Sequence, residues 1–314
     1  MDSVQRREVM IAGERAARVG AAACAFLPRP AIPVVASLTR ATAFLLTLAS
    51  PAVAQFQPSP ELRNPNIAFD YYEPRDAGYA QLYKKLQARQ ILEELGQFLA
   101  PVRWPHRLRL VMKQCPASTA EPQVFYTNIE YSITLCYQWF WRVERFAPPN
   151  AALGAPQQLL AGGVVGVVVH EAARAIFDME NIPRLGSEDD AADQLTAFVG
   201  LQFSKDVAQA VIKGTYWVWA NYDLAIRQRN EAYNFAGRAS VPPQRMLNTA
   251  CIAYGADPAT FKDFAPLLSG RANNCAAEYQ QVQYAFDKTI KPHVQVELMK
   301  KVQSMSWLTP QDLK

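Results

Sequence analysis

The feature that most constrains the fold is the run "LLAGGVVGVVVHEAARAIFDM" at residues 159–179. Its residues are apolar on nearly every side of a helix, so the helix has no broad face suited to water. A helix of this kind has to be covered by other elements of its domain. We therefore expect a buried central helix, and its few polar side chains, among them His170, Glu171 and Arg174, become candidates for a functional role.

The segment before this helix predicts a mixture of structure. Residues 55–76 are rich in Pro and Asn and indicate an irregular lead-in. The spacing of Leu and Ile predicts a helix over 77–99. Residues 107–115 alternate as a strand does, and residues 123–140, with β-branched and aromatic residues on both sides of Asn128, indicate a hairpin. We expect a small sheet within 107–140, followed by a linker over 145–158.

The segment after the central helix is predominantly helical in pattern. "NIPRLG" at 181–186 breaks the chain, and Ser187 then caps a helix over 187–203 whose first turn is acidic. Residues 204–301 continue as helices with turns at 241–243, 254–258 and 269–274. The motif helices thus span 159–203, and residues 77–314 form one domain of α+β class, mainly helical with a small sheet.

Residues 1–54 have the composition of a secretory leader. A short apolar run, Ala41–Ala49, follows Arg40 and precedes small residues at Ala52 and Ala54. This pattern predicts cleavage after Ala54 and a periplasmic or secreted protein beginning at Gln55. The alternative, an uncleaved membrane anchor, is disfavoured because the run is shorter than the roughly 20 residues that a span needs.

Charge and cysteine content limit the function of the exported chain. The leader carries a net charge of +3 out of +4 for the whole chain, so the remainder is nearly neutral and has no electrostatic footprint for nucleic acid. Four cysteines remain outside the leader, which permits three disulfide connectivities. Because they form two local pairs in the sequence, we predict Cys115–Cys136 and Cys251–Cys275.

The central helix carries part of a zinc-peptidase motif. In the pattern His-Glu-x-x-His the two histidines share a helix face and bind zinc, while the glutamate activates the bound water. Here His170 and Glu171 are present, but Arg174 stands at the second histidine position. In the next helix, Asp189 and Asp193 are four residues apart, the spacing at which gluzincin-type peptidases place a zinc ligand and a carboxylate that orients a ligand histidine.

Each of these features also has an ordinary structural interpretation. A buried histidine on an apolar helix is more often a satisfied core residue than a ligand, and an acidic first turn usually compensates the helix dipole. On that interpretation the chain is a helical exported protein unrelated to peptidases. The order of the features argues against it: a buried helix, His-Glu, a short break with Pro and Gly, and then an acid-x-x-Ala-Asp helix.

The stretch "HEAARAIFDMENIPRLGSEDDAADQ" at 170–194 resembles an uncharacterised family of bacterial exported putative metallopeptidases. Their motif runs approximately H-E-x-G-H-A-x-x-D-x-x-x-x-P-x-x-G-x-E-E-D-A-A-D-Q. Further similarity, in "ITLCYQ" (133–138), "PPQRMLNTACIAYGADP" (242–258) and "RANNCAAEYQQ" (271–281), extends over most of residues 79–294.

The resemblance implies a zincin-like fold and a role for each matched residue. His170 corresponds to the first zinc ligand, Glu171 to the general base and Asp189 to the carboxylate ligand. Asp193 corresponds to the acid that orients a ligand histidine without binding zinc itself. Three positions depart from the pattern: Arg174 replaces the second histidine, Ala173 replaces the glycine beside it, and Asp189 replaces a glutamate.

The substitution at position 174 determines the predicted function. Arginine is a permanent cation with no lone pair to donate, so it cannot bind zinc and repels a nearby metal. We therefore expect a degenerate zinc site with no cofactor, in a pseudopeptidase that binds a peptide or protein and contacts neither nucleic acid nor, after cleavage of the leader, a membrane. The alternative is a working zinc peptidase that recruits a third ligand from His106, His293 or Glu188.

Overall fold

The computed structural model describes residues 59–116, 124–145, 153–237 and 239–305. The predicted leader, its cleavage site and Gln55 lie outside these residues, as do parts of the lead-in and of the linker. Within them the fold is α+β, mainly helical with one small sheet, in agreement with the predicted class.

The sheet has four strands in the order β1-β2-β4-β3. Strand β2 pairs in parallel with both β1 and β4, and β3 pairs with β4 as an antiparallel edge strand. The strand bounds are β1 Ile67–Tyr71, β2 Leu108–Lys113, β3 Val124–Thr127 and β4 Ser132–Cys136. Every residue of β4 is buried, as expected for an inner strand.

The helices are named in chain order. Those of the described residues are α1 Ala80–Ala88, α2 Ile91–Leu99, α3 Tyr137–Arg145, α4 Pro156–Met179, α5 Glu188–Gly200, α6 Lys205–Gln228, α7 Pro242–Ala256, α8 Ala265–Leu268, α9 Cys275–Thr289 and α10 Val296–Ser304. Short 3₁₀ turns join several of them.

The structure differs from the predicted elements in three places. The lead-in expected to be irregular over 55–76 contains β1, whose stability comes from pairing with the distant β2. The helix expected over 77–99 is divided because Gln90 adopts a left-handed conformation with φ of 58°. The second hairpin strand ends at Cys136, and the aromatic run that follows it forms α3.

Helix α4 is the central element, as its apolar run predicts. It is long and apolar enough to cross a membrane, but 89% of its most apolar window is buried inside the fold, as in a core helix. Its closest neighbour is α6. A methyl group added at Gly162 would lie 1.8 Å from the carbonyl oxygen of Ala210, so the two helix backbones are in direct contact at this point.

Two disulfides cross-link the fold, with the predicted pairing. Cys115–Cys136 links the segment after β2 to the end of β4, with Cα atoms 5.4 Å apart. Cys251–Cys275 links α7 to the first residue of α9, with Cα atoms 5.0 Å apart. Both bridges are consistent with an oxidising, extracytoplasmic environment.

Candidate functional site

The motif residues meet because α4 and α5 are joined by a short turn. Residues 180–187 reverse the chain, with Asn181 and Gly186 at positive φ. The hydroxyl of Ser187 accepts a hydrogen bond from the amide of Asp190 at 3.3 Å and so caps the first turn of α5. The first two turns of α5 consequently lie against the face of α4 that carries His170.

His170 is buried, with 3% of its surface exposed, and acids lie near both ring nitrogens. Its Nδ1 lies 2.8 Å from Oδ1 of Asp193, although the ring N–H does not point along that line. Its Nε2 lies 3.5 Å from Oδ1 of Asp189 and 3.9 Å from Oε1 of Glu171. Asp193 therefore lies beside the Nδ1 edge of the His170 ring.

These contacts alter the protonation of the site. Burial alone would lower the pKa of His170, but the negative charges of Asp193, Asp189 and Glu171 outweigh burial and raise it to about 9. The hydrogen bond from His170 and the nearby arginines lower the pKa of Asp189 to about 2. In the metal-free protein at neutral pH, the imidazole is therefore mainly protonated and Asp189 is ionised.

Arg174 lies among the acids at the open side of the cluster. Its NH1 donates to Oε2 of Glu171 at 3.0 Å, and its Nε donates to Oε1 of Glu188 at 3.0 Å. The same Nε is 4.0 Å from Oδ1 of Asp189. Arg174 does not pair with Asp193. Nearby acids keep its pKa raised against the effect of burial, so the guanidinium stays charged.

Asp193 is neutralised instead by Arg245, which comes from α7. The guanidinium of Arg245 donates to both carboxylate oxygens of Asp193, at 2.5 and 2.8 Å. Its NH2 lies 3.5 Å from Nε2 of His170, and its Cζ lies 3.4 Å from the ring centroid of Trp219 on α6. Burial would raise the pKa of Asp193, but the charges of His170 and Arg245 hold it below its usual value.

Glu171 is also held from the sheet. The backbone amide of Tyr126, in edge strand β3, donates to Oε2 of Glu171 at 2.7 Å. The hydroxyl of Tyr126 donates to Asp178 at 2.9 Å, one helical turn further along α4 from Arg174. One Glu171 oxygen, Oε2, thus accepts from both Tyr126 and Arg174, which holds the carboxylate in position.

The fold brings together the predicted motif residues, namely His170, Glu171, Arg174, Asp189 and Asp193. Glu188, the acid named as an alternative third ligand, lies in the same cluster. Two other histidines proposed as replacement ligands have different partners. His106 stacks on Tyr131, with ring centroids 4.6 Å apart, and His293 lies 3.1 Å from Glu180.

Sequence reasoning missed Arg245, Trp219 and Tyr126. The stretch "PPQRMLNTACIAYGADP" that carries Arg245 was noted only for its family resemblance. The signal that could have identified the residue is that Arg245 is the only charged side chain of its helix. Tyr126 acts through its backbone amide, for which the side-chain pattern provides no signal.

A polar cleft of about 390 Å³ adjoins the cluster at Glu188. Asp178, Asn181 and Arg184 line it with the turn between α4 and α5. Arg184 donates to Oε2 of Glu188 at 3.2 Å, whereas Arg174 donates to Oε1 of the same carboxylate. Arg174, Glu188 and Asp189 each keep between 21% and 27% of their side-chain surface exposed, so solvent reaches this edge of the cluster.

The donor set does not fit a catalytic zinc ion. Such sites use three protein ligands and keep one open position. Here His170 and Asp189 are the two ligand-type residues left from the motif, and two guanidinium groups lie within 4.0 Å of them. Across the described ranges of the chain, no group of three or more His, Cys, Asp or Glu side chains is arranged to hold a metal ion.

Comparison with protein-family models identifies a match over most of the chain. The model of a family described as "Putative metallopeptidase" matches residues 71–290, more than two thirds of the 314-residue chain. The matched region contains all of the cluster residues. A search of curated proteins finds no match, and a search of solved structures finds none either.

Proposed function

This chain belongs to the family described as "Putative metallopeptidase", and we propose that its zinc site has degenerated. On this proposal the protein is a pseudopeptidase with no metal cofactor, built on a zincin-like fold, and it acts as a binding or scaffold module.

The observation that carries the proposal is the position of Arg174. Its guanidinium bonds to Glu171 and Glu188 and is 4.0 Å from Asp189, which bears the carboxylate expected to bind zinc. A metal ion at this point would neutralise the same acids. A covalently attached cation therefore supplies the charge that a metal would supply, and it cannot act as a ligand.

Arg245 adds a second argument from electrostatics. The cluster contains four acidic side chains and four cationic ones. The acids are Glu171, Glu188, Asp189 and Asp193, and the cations are Arg174, Arg184, Arg245 and the mainly protonated His170. The charges are thus balanced without a metal. A zinc ion would have to displace the proton of His170 and approach two fixed guanidinium groups, so both proton competition and repulsion oppose its binding.

The test is the metal content of matched variants at position 174. We expect the wild-type protein to purify without stoichiometric zinc and to show no chelator-sensitive proteolysis. Arg174→His restores a ligand on the helix face of His170 and should recover measurable zinc binding. Arg174→Gln removes the same charge without adding a ligand and should not. One tightly bound zinc ion in the wild type would refute the proposal and favour the working peptidase, with Glu188 as third ligand.

We also propose that the protein is exported and cleaved after Ala54. The pattern from Arg40 to Ala54 and the two disulfides support this. The N-terminus of protein recovered from the periplasm or medium of a Gram-negative host should begin at Gln55. A cytoplasmic product that retains residues 1–54 would contradict the proposal.

The proposed partner is a peptide or protein, not a nucleic acid or a membrane. The polar cleft next to Glu188 supports this, because it is lined by side chains that can hydrogen-bond to a peptide. Leu185 is fully exposed between two cleft residues, Arg184 and Gly186, and offers an apolar contact there.

A further inference from the structure

A separate cavity lies behind the helix that carries the motif. It has a volume of about 80 Å³ and is partly open to solvent. Val169, Ala172, Ala173 and Ile176 form its floor. Helical spacing places these residues on the side of α4 opposite His170, Glu171 and Arg174, so the cavity is distinct from the acid cluster.

The wall of this cavity is almost entirely apolar. Beyond α4, its main contributors are Phe98 and Leu99 of α2, Leu195 and Val199 of α5, and Phe286 of α9. The indole N–H of Trp104, another lining residue, already donates to the carbonyl of Leu99 at 3.2 Å. Water in such a space would lack the two to four polar partners that it needs, so an apolar occupant is favoured.

Helix α10 forms the remaining side of the cavity through Met299, Val302 and Gln303. Of the nine α10 residues only Val302 is buried, and the ion pair from Lys301 to Glu61 is exposed. A helix with so little buried surface can shift at modest cost. Gln303 is the one lining residue with an amide side chain, and it is partly exposed, so it can hydrogen-bond a polar group at the entrance.

We propose that this cavity binds the end of a single unbranched alkyl chain, such as that of a fatty acid. The volume favours a chain over a ring, because an apolar cavity that binds benzene has a volume of about 150 Å³. The space here is about half as large. At about 30 Å³ for a group the size of water, it accommodates roughly three methylene groups in line.

The proposal predicts a dependence on chain length. Each methylene that enters the cavity should tighten binding about fourfold, the equivalent of about 0.8 kcal/mol per buried methylene. The gain should stop after about three methylenes, when the cavity is full. Titration calorimetry of the purified protein with acetate, propanoate, butanoate, hexanoate and octanoate, each below its micellar concentration, measures this series. Affinity should rise from acetate to about butanoate and then stay level. 1-Octanol serves as the comparison for octanoate. If the two bind equally well, the alkyl chain alone is recognised; if octanoate binds more tightly, the carboxylate is recognised as well.

Two variants and one control test the location. Val199→Phe fills the cavity from α5 and should weaken octanoate binding at least tenfold. Gln194→Phe places the same side chain on an exposed position of α5 and should leave binding unchanged. Ala172→Val adds two methyl groups to the floor and should stop the chain-length gain earlier, which provides a milder test if Val199→Phe does not fold. Affinity that is independent of chain length, or unchanged in both Val199→Phe and Ala172→Val, would overturn the proposal.

Discussion

Removal of Arg174 should destabilise the protein by about 2 kcal/mol. Arg174→Ala deletes two charge-assisted hydrogen bonds of 3.0 Å and leaves Glu171 and Glu188 facing Asp189 without this cation. Exposed ion pairs contribute about 0.2–1 kcal/mol, whereas breaking a fully buried pair costs about 3–5 kcal/mol. Arg174 retains 27% of its side-chain exposure and Glu171 retains 7%, so the cost lies between these limits.

Urea unfolding at low ionic strength, followed by circular dichroism, measures this free energy. A cost of about 2 kcal/mol corresponds to a fall in Tm of roughly 4–8 °C for a domain of this size. Arg184→Ala is the matched control, because Arg184 has equal exposure and a single ion pair, to Glu188, besides one hydrogen bond to the carbonyl of Ile182. That control should lose no more than about 1 kcal/mol.

A double-mutant cycle isolates the pair itself. In the background of Glu171→Gln, Arg174→Ala should cost clearly less than in the wild type, because one of the stranded charges is already absent. The reasoning is refuted if Arg174→Ala is as stable as the wild type, or if its cost is the same with and without the charge at Glu171. Either result would mean that the acids do not depend on this guanidinium.

Three further predictions concern the surrounding fold. Arg245→Ala should cost about 3–5 kcal/mol in urea unfolding because it strands the buried Asp193, whereas Arg271→Ala, which breaks a pair with about 30% of each side chain exposed, should cost no more than about 1 kcal/mol. Replacing Cys251 and Cys275 together by Ala should cost about 3 kcal/mol for a loop of 24 residues, and non-reducing peptide mapping of the wild type should recover this pair rather than a crossed one. Gly162→Ala should lower Tm by several degrees, because its methyl group would meet the backbone of α6, and an unchanged Tm would contradict that close approach.

The features that could be predicted from the sequence are those that depend only on neighbouring residues. The burial of α4 follows from an apolar run with no polar face, and the start of α5 follows from Ser187 and the acids after it. The inability of position 174 to bind zinc follows from the chemistry of arginine alone. The local cysteine spacing also indicated the two pairs that the structure forms.

The tertiary structure decided which charges neutralise one another. Arg245 is 52 residues from Asp193 and reaches it because α5 and α7 pack together, a contact that no local period encodes. Strand β1 likewise forms through pairing with β2, about forty residues away. Local periodicity reports which face of an element is apolar, whereas the partner of a polar side chain depends on how distant elements pack. The motif was therefore visible in the sequence, while the second guanidinium beside His170 was not.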